Sequence, residues 1–169
     1  MDLSLLAFAN AIYYILPAYF ANAAPTIFRG KKPIDFNRNF IDGKPIFGAH
    51  KTIRGFVSGI IVGLIVTIIQ KIISLPTAGT SLTIGLLLTL GALIGDLTGA
   101  FIKRRLNIAP GAPLPPLDQL DFVVGAFLFA SIIMSPKIET VIFIVIITPF
   151  LHVLTNILAF LLKIKDKPW

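Results

Sequence analysis

Hydrophobic residues along the chain fall into five long runs that are separated by shorter, more polar segments. A stretch of about 20 mainly apolar residues is long enough to cross the hydrocarbon core of a bilayer as a helix. The pattern therefore predicts an all-α integral membrane protein in which residues 1–169 form a single domain with five transmembrane helices. The predicted helices cover about residues 3–23, 55–74, 81–102, 120–135 and 138–162.

The overall composition favours the membrane class. The chain has 169 residues, of which 56% are hydrophobic and 14% are charged, and its mean hydropathy is +0.88. A soluble domain of this size would not bury so much apolar surface. The absence of cysteine excludes disulfides and thiol chemistry. No basic residue precedes the first apolar run, which is therefore predicted to be a membrane helix rather than a cleaved signal peptide.

The basic residues are distributed unevenly among the connections. The chain has 15 Lys and Arg against 8 Asp and Glu, a net charge of +7. Apart from Lys71 and Lys137, every Lys and Arg lies in residues 24–54, in residues 103–119 or in the C-terminal tail. Positively charged loops stay in the cytosol. We therefore predict cytosolic loops at 24–54 and 103–119, a cytosolic C-terminus and an external N-terminus. The same distribution accounts for the net charge, so no nucleic acid is expected as a partner.

Two runs contain glycines at a spacing of four residues, which places them on one side of a helix. Small residues at this spacing allow the backbones of membrane helices to approach closely. These glycines are therefore predicted to lie at helix contacts. They are Gly55, Gly59 and Gly63 in the second run and Gly91, Gly95 and Gly99 in the third.

Three acidic residues lie inside or beside apolar runs. Asp96 lies within the third run, and Asp118 and Asp121 are three residues apart at the start of the fourth. An ionised carboxylate is costly in lipid and usually marks a functional site. Metal ligation relieves that cost, so the three acids are predicted to be catalytic metal ligands. An ion pair would also explain Asp96, and stabilisation of a helix start would explain Asp118.

Two cationic segments are suited to binding phosphate. Residues 42–55, DGKPIFGAHKTIRG, are rich in glycine and cations and include the predicted contacts Lys44, Lys51, Thr52 and Arg54. Lys103 and Arg104 follow Asp96, and Lys103 shares a helix face with Asp96 and Gly99. Anchoring at the membrane interface is the alternative for all these cations, and we expect it for Arg105.

His152 and Asn156 interrupt the fifth apolar run four residues apart. They are predicted to form hydrogen bonds between helices rather than to take part in catalysis.

The segments around these residues resemble a known enzyme family. KPIFGAHKTIRGFVSG (44–59) resembles the lysine-threonine-glycine segment of integral-membrane CTP:phosphatidate cytidylyltransferases. GDLTGAFIKRR (95–105), followed by PLDQLDF (116–122), resembles their C-terminal signature. The small size and the form LDQLDF resemble the archaeal CDP-archaeol synthase family in particular. PGAPLPP (110–116) replaces the Pro-Gly-His-Gly-Gly stretch of the larger bacterial relatives, so no nucleotide contacts are carried over there.

The resemblance implies a Mg²⁺-dependent enzyme of the cell membrane, with two divalent ions and an active site that faces the cytosol. It implies that CTP reacts with the isoprenoid lipid 2,3-bis-O-geranylgeranyl-sn-glycerol 1-phosphate and releases pyrophosphate. Asp96 and Asp118 would bind the metal with help from Asp121. The implied phosphate and nucleotide contacts are Lys51, Thr52, Arg54, Lys103 and Arg104.

Two other functions stay open at this stage. A related enzyme could act on diacyl phosphatidate, because the residue chemistry does not distinguish the two lipids. An intramembrane acid near polar residues is also typical of a small ion- or proton-coupled transporter. The grouping of the acids and cations at one end of the helices, and the lack of an internal repeat, argue against transport. The sequence gives no indication of oligomeric state.

Overall fold

A computed structural model describes residues 3–73 and 81–164, with side chains from residue 6 onward. Within these ranges the chain forms five helices, which confirms the prediction of an all-helical protein. In a bilayer a helix satisfies its backbone hydrogen bonds within the segment, so apolar runs fold as helices. The helices are α1 (Leu3–Ile27), α2 (Ile53–Ile73), α3 (Leu82–Arg105), α4 (Leu117–Ala130) and α5 (Ile138–Leu161).

The helix ends differ from the ends of the apolar runs. The helix α1 continues to Ile27 although Pro17 and Pro25 lie within it. The basic residues 103–105 form the last turn of α3 rather than part of a loop. The helix α4 covers Leu117–Ala130 rather than 120–135, since it begins directly after Pro116. Hydropathy measures burial in lipid, whereas a helix continues as long as its backbone hydrogen bonds are made, so polar turns extend beyond the apolar run.

The helix α3 is central and contacts α1, α2 and α4, whereas α5 packs against α1 and α4. The glycines of α3 lie at its contacts with the neighbouring helices, which confirms the packing predicted from their spacing. A Cβ atom at Gly91 would overlap the main chain of Gly125, and one at Gly95 would overlap the carbonyl oxygen of Asp121. On α2, Gly59 meets the carbonyl oxygen of Ala21. Small residues thus bring α3 close to α4, and α2 close to α1.

Three of the helices in the described ranges, α2, α3 and α5, are long and apolar enough to cross a membrane. Large aliphatic side chains such as Ile65 on α2 and Ile146 on α5 are exposed on the outside of the bundle, where lipid would cover them. The 14 residues of α4 extend over roughly 21 Å at 1.5 Å per residue. The protein is therefore embedded in the membrane by several helices, and five complete crossings stay a prediction.

The two predicted cytosolic loops lie at the same end of the bundle, which we call the loop end. The α1–α2 connection folds back on itself through a bridge between Pro33 and Thr52. It contacts the end of α3 where Lys44 Nζ donates to the carbonyl oxygen of Arg105 at 2.8 Å. The described loops are therefore attached to the helices rather than projecting away from them. Lys165 and Lys167, which contribute to the predicted topology, lie outside the described residues.

Candidate active site

A cavity of about 670 Å³ lies at the loop end, among α1, α3, α4, α5 and the two long connections. Its wall combines carboxylates with cations and with a group of neutral polar side chains. All three acids that the sequence singles out contribute to it. The charged lining residues are Arg29, Lys51, Asp96, Lys103, Arg104, Asp118 and Asp121.

Asp96 on α3 is paired with Lys51 from the α1–α2 connection. The Lys51 Nζ atom lies 2.6 Å from each carboxylate oxygen of Asp96. The main chain of Lys51 is held as well, because its carbonyl oxygen accepts a hydrogen bond from Ile34 N at 2.8 Å. The loop therefore presents one ammonium group to the intramembrane acid, and the two charges offset the cost of removing each from water.

Asp118 is paired with Lys103 across the α3–α4 contact. Lys103 Nζ lies 2.7 and 2.8 Å from the two carboxylate oxygens, and the backbone N–H of Leu114 donates to Oδ2 at 2.6 Å. Lys103 is only 8% exposed. Asp118 also lies in the first turn of α4, where a negative charge interacts favourably with the helix dipole. Asp118 therefore both stabilises the start of α4 and contributes a carboxylate to the cavity wall.

Asp121 approaches the backbone of α3 instead of a cation. Its Oδ1 accepts from the N–H of Phe122 at 2.6 Å. Its Oδ2 lies in the space that a side chain at Gly99 would fill. Gly99 is therefore required for the carboxylate to reach the cavity wall, which explains the glycine that the sequence places three residues after Asp96.

Arg104 is a buried cation with incomplete hydrogen bonding. The residue is 5% exposed and lines the cavity. Its Nε and Nη1 atoms are buried and have no hydrogen-bond partner among the described residues. A buried charge with unsatisfied donors is costly unless an anion completes its bonding. The guanidinium is therefore suited to an anionic ligand that enters the cavity.

Thr52 directly precedes α2 and also lines the cavity. Its Oγ1 accepts from the backbone N–H of Gly55 at 3.1 Å and of Gly30 at 3.2 Å. The first of these bonds is the usual N-cap bond at a helix start. Since both bonds use the oxygen as an acceptor, the hydroxyl proton is still able to donate to a ligand.

Comparison with known proteins agrees with this geometry. The CarS-like CDP-archaeol synthase family matches residues 3–169. The CDP-archaeol synthase of Methanocaldococcus jannaschii is 47% identical, over 97% of this chain and 98% of that protein. The CDP-archaeol synthase of Pyrococcus furiosus is 46% identical, over 95% of this chain and 97% of its own length. The chain belongs to the CDP-archaeol synthase family.

A solved structure of an intramembrane enzyme for archaeal membrane lipid biosynthesis has the same fold. It superimposes with a TM-score of 0.80 at 34% identity, over 87% of this chain and 92% of that chain. The similarity to CDP-archaeol synthases identifies the protein as a membrane-embedded enzyme. The resemblance read from the sequence motifs is thereby confirmed.

Not every residue predicted for the CDP-archaeol synthase site lines the cavity. Lys44 Nζ is bonded to the carbonyl oxygen of Arg105, and Arg54 is exposed away from the cavity lining. The path of the α1–α2 connection turns Lys44 outward while Lys51 turns inward, and Arg54 is an exposed residue of the first turn of α2. Neither side chain is therefore supported as a phosphate contact by the geometry.

Arg105 also lies outside the cavity lining, and its predicted anchoring at the membrane interface stays a prediction. Its guanidinium carbon lies 4.3 Å from the ring centre of Phe101 and 5.2 Å from that of Phe40. Its Nε lies 2.7 Å from Oδ2 of Asp42. Cation–π contacts and an ion pair thus hold Arg105 against the α1–α2 connection. It fastens this connection to the end of α3.

Neutral polar residues form a second part of the wall that sequence reasoning did not recognise. They include Asn22, Gln119, His152 and Asn156. Asn156 Nδ2 and His152 Nδ1 lie 3.2 Å apart within α5, so this contact lies within one helix, and the predicted bonds between helices stay a prediction. Both side chains line the cavity. Their i, i+4 spacing in the fifth run was the available signal. It indicated a shared face but not what that face contacts.

The carboxylates fit a magnesium ion that is shared with a substrate. Oxygen ligands are those that Mg²⁺ prefers, and it is usually bound by one or two carboxylates together with substrate phosphates. Among the described residues, no group of three or more His, Asp or Glu side chains is close enough to hold a metal ion alone. The acids of the cavity therefore suit an ion that is completed by phosphate oxygens, and their role as ligands stays a prediction.

Proposed function

We propose that the protein synthesises CDP-archaeol in its unsaturated form, by transferring the cytidylyl group of CTP to 2,3-bis-O-geranylgeranyl-sn-glycerol 1-phosphate. The observation that carries this proposal is Arg104, a buried guanidinium with unsatisfied donors in a cavity that also contains Lys51 and Lys103. These three of the cavity's cations are together suited to the oxygens of a triphosphate. Membership of the CDP-archaeol synthase family supplies the reaction.

The transfer requires positioning and charge neutralisation more than a protein nucleophile. An oxygen of the lipid phosphate attacks the α-phosphorus of CTP. The bond between this phosphorus and the oxygen that bridges it to the β-phosphorus breaks, and pyrophosphate leaves. The attacking phosphate is already anionic near neutral pH, so the step needs no general base. Lys51, Lys103 and Arg104 would hold the phosphate oxygens, with Thr52 as an additional donor.

Asp96, Asp118 and Asp121 are the residues that would hold Mg²⁺, and two ions are expected. When bound, Mg²⁺ would neutralise negative charge on the phosphates. Each acid has a defined position for this role: Asp96 beside Lys51, Asp118 beside Lys103 and Asp121 against Gly99. The arrangement leaves the carboxylates on the wall of the same cavity as the cations.

The proposed topology has five membrane crossings, an external N-terminus and the loop end in the cytosol. CTP is a cytosolic nucleotide, whereas the lipid phosphate lies at the membrane surface. A cavity at the cytosolic end of a helix bundle is accessible to both. The concentration of cations in residues 28–54 and 103–105 supports this orientation.

The decisive experiment incubates purified protein with labelled CTP, Mg²⁺ and either the isoprenoid ether lipid phosphate or a diacyl phosphatidate. We expect CDP-lipid and pyrophosphate in equal amounts, with the isoprenoid substrate preferred. Product from the diacyl lipid alone would support a CDP-diacylglycerol synthase instead. No CDP-lipid from either substrate would contradict the proposal.

The same assay tests the carboxylates. Asp96→Asn and Asp118→Asn keep the size of each side chain but remove the charge, so each is expected to abolish transfer while the protein remains folded. Asp42→Asn is the matched control, because Asp42 lies outside the cavity lining. Full activity of either cavity variant at saturating Mg²⁺ and CTP would exclude the assigned metal role.

A further inference from the structure

Asp35 is a buried charged residue that does not line the cavity. It lies in the α1–α2 connection, residues 28–52, and is only 5% exposed. Aspartate is almost never buried to this degree unless it is paired. None of the ion pairs in the described part of the chain includes Asp35. Its burial therefore depends on other partners.

Those partners are three backbone N–H groups from two separate parts of the connection. Asn37 N donates to Oδ1 at 3.0 Å, and Phe47 N and Gly48 N donate to Oδ2 at 2.9 and 2.8 Å. Burial raises the pKa of Asp35, but the N–H donors outweigh it and hold the pKa below its ordinary value. The group is therefore ionised at neutral pH, and the stability it contributes is lost only as pH falls through this lowered pKa.

The second of these parts leads directly into the cavity wall. Gly48 has a φ of +94°, a left-handed conformation that favours glycine. Its carbonyl oxygen accepts from Lys51 N at 3.2 Å. A Cβ built at Gly48 would lie 3.7 Å from Cδ of Arg104, so the two residues are packed together. The peptide held by Asp35 thus contacts both Lys51 and Arg104.

The part of the connection around Asp35 is also bonded to the main chain at Lys51 and Ile53. Ile34, which precedes Asp35, donates its N–H to the carbonyl oxygen of Lys51 at 2.8 Å, and Ile53 N donates to Lys32 O at 3.0 Å. The turn from Gly48 to Thr52 is therefore held on both sides. The carboxylate of Asp35 adds a further link between the two sides, at Phe47 and Gly48.

We propose that Asp35 is a positioning residue for cytidylyl transfer. Its carboxylate fixes the turn from Gly48 to Thr52, so that Lys51 faces Asp96 and the side chain of Arg104 is covered by the turn. Asp35 itself touches no substrate. The inference rests on the proposed function insofar as Lys51 and Arg104 are taken to bind the triphosphate.

Asp35→Asn is the direct test. The amide has the shape of the carboxylate, but its NH₂ group would face at least one of the three N–H donors, which would then lose its acceptor. The turn is expected to shift while the packing of the helices is unchanged. Small displacements of positioning groups cost up to roughly a hundredfold in rate. We expect kcat/KM for CTP to fall by about tenfold to a hundredfold, with KM for the lipid unchanged.

Asp42→Asn is the matched control in the same connection. Asp42 accepts one N–H, from Lys44 at 3.1 Å, and pairs with Arg105 on the side away from the cavity. Its CTP kinetics are expected to stay within about twofold of the parent protein, since surface ion pairs contribute little. Equal effects of the two substitutions on the CTP kinetics would contradict a specific positioning role for Asp35.

A double-mutant cycle separates positioning from general loss of structure. If Asp35 acts through Lys51, then Asp35→Asn in a Lys51→Ala background should lower kcat/KM for CTP much less than it does in the parent protein. Additive effects would overturn the proposal. So would an unchanged kcat/KM for CTP in Asp35→Asn, or a fall in activity that matches the fraction of protein lost to unfolding.

Gly48→Ala disturbs the same turn at the residue that Asp35 holds. It is the second variant to test if Asp35→Asn does not fold. The new methyl group meets Pro110 at 3.2 Å and the residue has a φ that favours glycine. The same selective loss for CTP is expected, and normal CTP kinetics would contradict the proposal. Formation of CDP-lipid by the parent protein tests the proposed function separately, since it does not depend on either variant.

Discussion

Each of the three acids in the cavity is stabilised in a different way, and the difference predicts what its loss would do. Asp96 is held by Lys51 from a loop, and Asp118 by Lys103 from the neighbouring helix. Asp121 lies against Gly99 instead. A carboxylate that loses its cation while it stays buried is costly. Substitution of a lysine therefore affects the acid that it pairs with as well as any phosphate contact.

Lys103→Ala is expected to lower activity far more than Arg105→Ala. The first change removes a cavity cation and leaves Asp118 without its ion pair, and losing such a charge contact typically costs roughly a hundredfold or more in kcat. The second removes an ion pair with Asp42 and two ring contacts outside the cavity. Steady-state kinetics with CTP check the order of the two effects. A milder loss for Lys103→Ala would contradict the helical-face assignment.

At the scale of the elements, the contact between α3 and α4 builds the acidic side of the cavity. The backbones of the two helices lie so close at Gly91 and Gly95 that no side chain would fit at either position. Because the helices approach so closely, the start of α4 brings Asp118 to Lys103 and Asp121 to Gly99. The glycines that pack the bundle thus also determine the distances between the charged groups at its loop end.

Gly95→Val is expected to destabilise the protein and to reduce its activity together. Its side chain would overlap the carbonyl oxygen of Asp121, and overpacking of this kind costs about 1–3 kcal/mol. Thermal unfolding in detergent measures the change. Ala23→Val on the exposed side of α1 introduces the same side chain without a buried contact and should unfold near the parent temperature. Similar unfolding temperatures for both variants would show that the α3–α4 contact tolerates a larger separation.

At the scale of the whole molecule, the charged groups gather at one end of an otherwise apolar bundle. The opposite end of α4 and the start of α5 carry Lys137 and Glu139. Such asymmetry orients a membrane protein with its cationic end in the cytosol. In the proposed orientation, the polar cavity would be accessible to a nucleotide from the cytosol and to a lipid phosphate at the membrane surface.

The proposed orientation can be tested by labelling single cysteines, since the chain has none of its own. Lys32→Cys and Ala109→Cys place a thiol at exposed positions of the loop end, and Lys137→Cys places one at the opposite end. In intact cells, a membrane-impermeant maleimide is expected to label the third variant only. After permeabilisation all three should react. Labelling of the loop-end thiols in intact cells would reverse the proposed topology.

The sequence by itself determined the helices, the position of three acids near one end of the bundle and the glycine contacts between helices. These features follow from local properties: runs of apolar residues, the cost of a charge in lipid, and spacing along a helix. Lys103 could be assigned for the same reason, because its face of α3 is defined by its distance from Asp96. The family motifs then indicated the chemistry.

The tertiary structure alone decided which loop side chains belong to the cavity. Lys51 and Asp96 are 45 residues apart, and nothing near either residue specifies their contact. Lys44 has the same charge as Lys51 and lies in the same connection, yet it does not line the cavity. In an irregular connection the direction of a side chain has no period, so it depends on long-range bonds such as those of Asp35. That is why Asp35 was not recognised from the sequence.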